Sequence, residues 1–254
     1  MRQMRHKKIL YSIGDSVVWG AELENIEKER FSNSLSKKLG AVDCNNATAG
    51  VSNDYIFRHA IRDINHFLRK GEVWSEETGW VKGDEFVLCM GITSPTRFEW
   101  WDGDKYQQER LWKGYDKWGK NDEERTTEDK FVLHQTELIP SYIRTLQGII
   151  AIQNICENEK IPYIIFNTFF KWNIHEIKEP KHRIDKWGKI RDQLSLKSYW
   201  DMIPLNFKME SMYECFKRRG GGVLERNHPT KESHKIWSDF LYKLYKEHEN
   251  EDEF

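Results

Sequence analysis

The sequence predicts an α/β fold, a parallel sheet with helices on both of its faces. Two observations carry the prediction. Short apolar runs of strand length alternate with longer segments whose apolar residues recur at helical spacing. Ser16, Gly50 and Gly91 each stand just behind one of those runs, so a single edge of the sheet collects them.

Lys8–Ile13 is the first strand, an apolar run that leads straight into Gly14-Asp15-Ser16. A helix around Phe31–Leu39 is closed by Gly40, and Val42–Asn45 is a short second strand. Asp54–Leu68 carries Ile56, Phe57, Ala60, Ile61, Ile64, Phe67 and Leu68 on one helical stripe. Asn53 and Asp54 are suited to cap that helix. Glu85–Met90 is the third strand, Gln135–Glu157 a long helix, and Ile161–Asn167 a fourth, fully buried strand. Lys231–Tyr245 closes the fold, with Ile236, Trp237, Phe240, Leu241 and Leu244 facing inward.

At 254 residues the chain can bury a full core as one domain, residues 1–254, with insertions at about 93–134 and 171–205. Lys+Arg 40 against Asp+Glu 41 gives a net charge of -1, which leaves no electrostatic footprint for nucleic acid. No apolar run approaches membrane-spanning length. The apolar stretch behind the basic start is too short for a signal peptide, so a cytoplasmic place of synthesis is expected. The four cysteines are far apart and without Cys-x-x-Cys, which suits reduced core thiols. His175 and His182 have no third ligand at sensible spacing; no metal and no cofactor is expected.

The chemistry begins at Ser16. A serine at the start of a helix behind a buried strand lies beside unpaired backbone N–H groups, which can hold a developing negative charge. Near the other end stands Glu225-Arg226-Asn227-His228-Pro229. His228 is a candidate general base for Ser16, and Glu225, three residues before it, a candidate third group to orient the imidazole. His234 lacks the preceding acid and the proline and reads as a structural residue of the closing helix. Gly220-Gly221-Gly222 lacks the context of a phosphate loop and reads as a hinge before the His228 loop.

These blocks resemble the GDSL/SGNH hydrolase family over most of the chain. Gly14-Asp15-Ser16 matches the nucleophile block, Gly50 behind Asn45-Asn46 the second block, and Glu225-Arg226-Asn227-His228-Pro229 the last, with Glu where the family has Asp. In the third block the family has Gly-x-Asn-Asp and this chain has Gly91-Ile92-Thr93-Ser94. The resemblance implies a three-layer α/β/α fold with a flavodoxin-like parallel sheet of about five strands. It implies catalysis by Ser16, His228 and Glu225, with an oxyanion hole from Ser16, Gly50 and Thr93. Asp15 would hold the nucleophile turn.

The expected activity is that of a serine esterase acting on a short acyl ester, such as an O-acetyl group on a carbohydrate, so that a small-molecule or glycan ester is the partner. The insertions favour a sugar: residues 93–134 hold Phe98, Trp100, Trp101, Tyr106, Trp112, Tyr115 and Trp118, and aromatic faces beside polar groups suit stacking on sugar rings. Trp100 and Trp101 are the named candidates. Arg97 either binds an anionic group of the substrate or pairs at the surface with Glu99 or Asp102. Two alternatives remain open at this stage. One is a catalytically impaired carbohydrate-binding or assembly protein, motivated by Thr93; the other is an acyltransferase using the same triad.

Overall fold

A computed structural model describes residues 7–95, 97–101, 106–110, 138–169, 172, 196–203 and 210–251. Its centre is a parallel sheet formed by β1 (Lys8–Ile13), β2 (Ala41–Asn45), β5 (Glu85–Ile92) and β8 (Tyr163–Asn167), in the order β2-β1-β5-β8. About five strands were expected; among the described residues this sheet has four. Its register aligns the carboxyl ends, with Ser12 opposite Asn45, Ile13 opposite Met90 and Ile92 opposite Asn167. Strand order reverses between β1 and β5, and in open α/β sheets the crevice at such a reversal is where ligands bind.

Successive strand residues feed two cores. Ile9, Tyr11 and Ile13 with Leu88 and Met90 face α4 (Asn53–Lys70) and α5 (Leu138–Asn158), through Ile56, Ile64, Leu146 and Ile149. Leu10, Val87 and Cys89 face α3 (Phe31–Leu39), α6 (Met212–Arg218) and α7 (Lys231–Glu251), through Phe31, Leu35, Phe216, Trp237 and Leu241. Both faces are thus covered, which is why β1, β5 and β8 read as near-continuous apolar runs. Two short helices, α1 (Ser16–Trp19) and α2 (Ile26–Glu29), lie between β1 and α3.

The cap of α4 differs from expectation by one residue. Ser52 accepts the Tyr55 N–H at 3.2 Å, which frees Asn53 to bond the backbone of Thr93. Two antiparallel hairpins were also unexpected: β3 (Glu72–Ser75) with β4 (Gly79–Lys82), and β6 (Arg97–Trp101) with β7 (Tyr106–Arg110). The second lies within the first insertion. Arg97-Phe98-Glu99-Trp100 does alternate polar with aromatic, the signal of a two-sided ribbon. All four cysteines are free and buried. No helix among the described residues is long and apolar enough to cross a membrane.

Candidate active site

The turn behind β1 is built by close approach. A Cβ on Gly14 would fall 2.4 Å from Val18 Cγ2, and one on Gly91 would meet the same methyl at 2.4 Å. Bare backbone at the ends of β1 and β5 therefore lets α1 seat Val18 between them. Asp15, fully buried, caps α1 by accepting the Val17 N–H at 3.0 Å, and so has the turn-holding place the family resemblance implied. Behind β2, Asn46 N–H bonds Ser12 O at 2.8 Å and Thr48 N–H bonds Gly14 O at 3.1 Å. Asn45 donates to Val18 O at 3.0 Å. These bonds tie the segment leading to Gly50 onto the Gly14–Ser16 turn.

The His228 segment arrives from the opposite end of the chain as a closed turn. Leu224 N–H bonds His228 O at 2.7 Å, Thr230 N–H bonds Gly222 O at 3.1 Å, and the Tyr213 hydroxyl donates to Asn227 O. The three glycines thus open a tightly bonded turn into α7. His228 Nε2 lies 3.1 Å from Ser16 Oγ, hydrogen-bond distance for a nucleophile and its base.

The acid is where the structure departs from the sequence expectation. His228 Nδ1 faces Glu22 Oε2 at 2.7 Å, whereas Glu225 is exposed to solvent. Glu22 follows Ser16 by only six residues, on the turn that leaves α1. Its backbone is left-handed, with φ 70°, a conformation costly for a residue with a Cβ and often found at functional sites. Both carboxylate oxygens also lie 3.2 Å from the Arg226 N–H. Desolvation pushes the Glu22 carboxyl upward, but hydrogen bonds from His228 and from the Arg226 N–H outweigh it and hold the group below its ordinary value. Sequence proximity favoured Glu225. The only local sign of Glu22 is its position just past a glycine-closed single-turn helix.

Thr93 also sits differently from expectation. Its side chain is buried, its N–H donates to Asn53 Oδ1 at 3.0 Å, and its carbonyl accepts from Asn53 Nδ2 at 3.1 Å. Thr93 Oγ1 is enclosed, without a hydrogen-bond partner among the described residues. The Asn53 amide thus clamps the backbone behind β5, and the threonine hydroxyl points away from solvent.

Of the two surface partners expected for Arg97, Asp102 lies outside the described residues. Glu99 is held by Arg58 at 3.1 and 3.0 Å. Arg97 Nη1 instead lies 3.6 Å from Asp15 Oδ2 and donates to Val51 O at 3.4 Å, with its guanidinium over the Phe169 ring at 5.6 Å. It balances the buried carboxylate that caps α1. The side chains of Trp100 and Trp101 lie outside the described residues, as do His175, His182 and most of both insertions. Among the described residues no group of three or more His, Cys, Asp or Glu is placed to hold a metal ion.

His234 is fully buried on α7, accepts the Phe31 N–H at Nδ1 (3.2 Å) and stacks on the Phe31 ring, as a structural residue would. Burial, with a smaller contribution from His228, pushes its imidazole down to about 3. The unfolded chain binds this proton below about pH 6.5 while the native state refuses it. Stability contributed by the neutral ring is therefore complete above that value. It is lost as pH falls toward 3, by up to about 1.4 kcal/mol per pH unit. In His234→Asn, whose Oδ1 replaces the acceptor, the guanidinium midpoint is expected to depend less on pH between 7.5 and 4.5 than in the wild type. An unchanged slope would count against the buried neutral imidazole.

No family model matches the chain, and no curated protein sequence matches it. Among solved structures it is similar to the psychrotrophic esterase EstA from a Pseudoalteromonas species, at 11% identity over 95% of this chain and 98% of that one, with a TM-score of 0.46. It is similar to the acetylxylan esterase Axe2 from Geobacillus stearothermophilus, at 14% identity over 94% of each chain, with a TM-score of 0.45. It is also similar to a lipolytic protein of the G-D-S-L family from Veillonella parvula, at 8% identity over 93% and 96%, with a TM-score of 0.43.

Proposed function

We propose that the chain is a serine esterase that hydrolyses a short acyl ester, with an O-acetyl group on a carbohydrate as its substrate class. The supporting observation is the continuous chain Ser16 Oγ–His228 Nε2–Glu22, at 3.1 and 2.7 Å. Ser16 Oγ attacks the ester carbonyl carbon while His228 Nε2 takes its proton. Glu22 holds Nδ1–H, fixes the tautomer and balances the imidazolium. The N–H groups of Ser16 and Gly50 bind the oxyanion. Collapse of the tetrahedral intermediate breaks the bond to the alcohol, which leaves with the proton from His228. A water, deprotonated by the same imidazole, then attacks the acyl-Ser16 carbonyl and releases the acid.

Thr93 has no part in this scheme beyond shaping the β5 end, so the hole has two backbone donors and no side-chain amide. That same geometry is the one observation favouring the non-catalytic carbohydrate-binding reading. Two measurements separate them. On the esterase reading, p-nitrophenyl acetate is turned over faster than p-nitrophenyl octanoate, and a fluorophosphonate probe labels Ser16, mapped by mass spectrometry. Background rates on both esters without labelling would leave the binding protein as the better account. A preference for octanoate would overturn the short-acyl assignment alone.

A further inference from the structure

Away from Ser16, the β3–β4 hairpin packs beside α4 and carries two of the most exposed large apolar side chains, Trp74 at 46% and Trp80 at 53%. They meet edge to face at 5.5 Å, and His66 stacks on Trp80 at 4.7 Å. With Arg62, Asp63 and Val73 they line a cavity of about 250 Å³. That is just below the roughly 300–1,000 Å³ of drug-sized sites and suits a single small ring. One wall is aromatic. The polar side is Asp63, whose Oδ2 accepts from Tyr11 at 2.6 Å and from Arg62 at 3.0 Å.

The cavity is tied to the catalytic edge. Asn46, on the segment that leads from β2 to Gly50, donates to Trp74 O at 2.6 Å and reaches Asp63 Oδ2 at 3.4 Å. A second connection runs along α4. Tyr55, His59, Arg62 and His66 recur at steps of four, three and four, so they share one helix face. Tyr55 lies at the catalytic end, its hydroxyl 3.3 Å from Thr48 Oγ1, and His59 stacks on it at 3.9 Å. From Tyr55 to His66 the helix rises about 16 Å, the length of a short oligosaccharide.

We propose that the Trp74–Trp80 hairpin and the adjoining face of α4 form a glycan-binding subsite, in which one sugar ring stacks on Trp80 and Trp74 while the chain runs past His59 and Tyr55 toward Ser16. Sugar is the occupant that fits this chemistry. A pyranose presents an apolar C–H face to an indole and hydroxyls to a carboxylate and a guanidinium within the same small volume. A protein partner would need a broader apolar patch than this polar-rimmed cavity offers. The choice of glycan rests on the carbohydrate-ester reading above, and the subsite implies that the enzyme acts on an oligomeric substrate.

Calorimetric titration with unacetylated xylohexaose and cellohexaose tests the subsite without any ester chemistry. At least one hexaose is expected to bind the wild type, with affinity falling about tenfold or more in Trp80→Ala and mostly retained in Trp80→Phe. Circular dichroism melts check that each variant is folded, and Trp74→Ala provides a second loss on the same wall. Equal binding by wild type and both alanine variants would overturn the proposal, as would absence of binding to either hexaose. So would a dimeric wild type that Trp80→Ala converts to a monomer in light scattering, because the two indoles would then form an interface between copies. Hexaose binding that depends on Trp80, in a protein inactive on p-nitrophenyl esters, would uphold the subsite and overturn the esterase reading.

Discussion

Glu22→Gln is expected to lower kcat/KM for p-nitrophenyl acetate by a factor on the order of 10³–10⁴, the size of effect seen when a triad acid becomes its amide. Glu225→Gln is expected to stay within about threefold of wild type, as exposed substitutions do. The reason lies in the tautomer. Glu22 can only accept from His228 Nδ1, now at 2.7 Å, which leaves Nε2 free to take the Ser16 proton. A glutamine can donate to Nδ1 instead and stabilise the ring with its proton on Nε2, where it no longer serves as base. Glu22 also stays ionised to lower pH than an ordinary carboxylate, because His228 and the Arg226 N–H bond its charged form. The opposite ranking, with Glu225→Gln the damaging change, would restore the arrangement expected from the sequence and sink the assignment of Glu22.

That contrast marks where sequence reading stops. Ser16 and His228 were legible because each sits in a local pattern: a buried strand and a glycine turn for one, a His-Pro before a helix for the other. The carboxylate that meets His228 was not, because its relation to His228 spans 206 residues and depends on a backbone angle. Glu22 reaches the imidazole through a one-turn helix closed by Gly20 and a left-handed residue, and propensity predicts neither in combination. Thr93 shows a similar limit. Its place after β5 could be read, but the inward turn of its hydroxyl follows from the Asn53 clamp, which cap preference alone would assign to the helix terminus. The four sheet strands were legible for a simple physical reason. Strands covered on both faces are mostly apolar, and their few polar residues, such as Ser12 of β1 and Asp43 of β2, do not break the runs. In β3 and β4, Glu72, Trp74, Trp80 and Lys82 face outward or to the rim, so the segment reads as a polar connection and its exposed tryptophans pass unnoticed.

Arg30→Ala is expected to destabilise the fold by about 3–5 kcal/mol, read as a lower guanidinium midpoint, because it leaves buried charge without its partner. Arg30 is fully buried between the start of α3, β2 and the β3–β4 turn. Nε and Nη2 bond Asp43 Oδ2 at 3.0 and 2.9 Å, Nη2 bonds Glu77 Oε2 at 2.6 Å, and Nη1 bonds Glu77 Oε1. Ser32 adds a bond to Asp43 at 3.1 Å. Burial raises the Asp43 carboxyl even in this setting, outweighing Arg30 and Ser32. Without the guanidinium, the Glu77 carboxylate would repel Asp43 across the same space and push the Asp43 carboxyl up further. The unfolded chain gains nothing comparable from a proton, so acid relieves the variant more than the wild type. The loss is therefore expected to shrink between pH 7.5 and pH 5. A deficit that stays constant or grows on acidification would mean that Arg30 acts mainly through packing of its aliphatic stem, with its charge secondary. Arg30→Met separates the two contributions. It keeps most of the stem volume and removes the charge, so it should remain nearly as damaging as alanine at pH 7.5 and recover as strongly at pH 5.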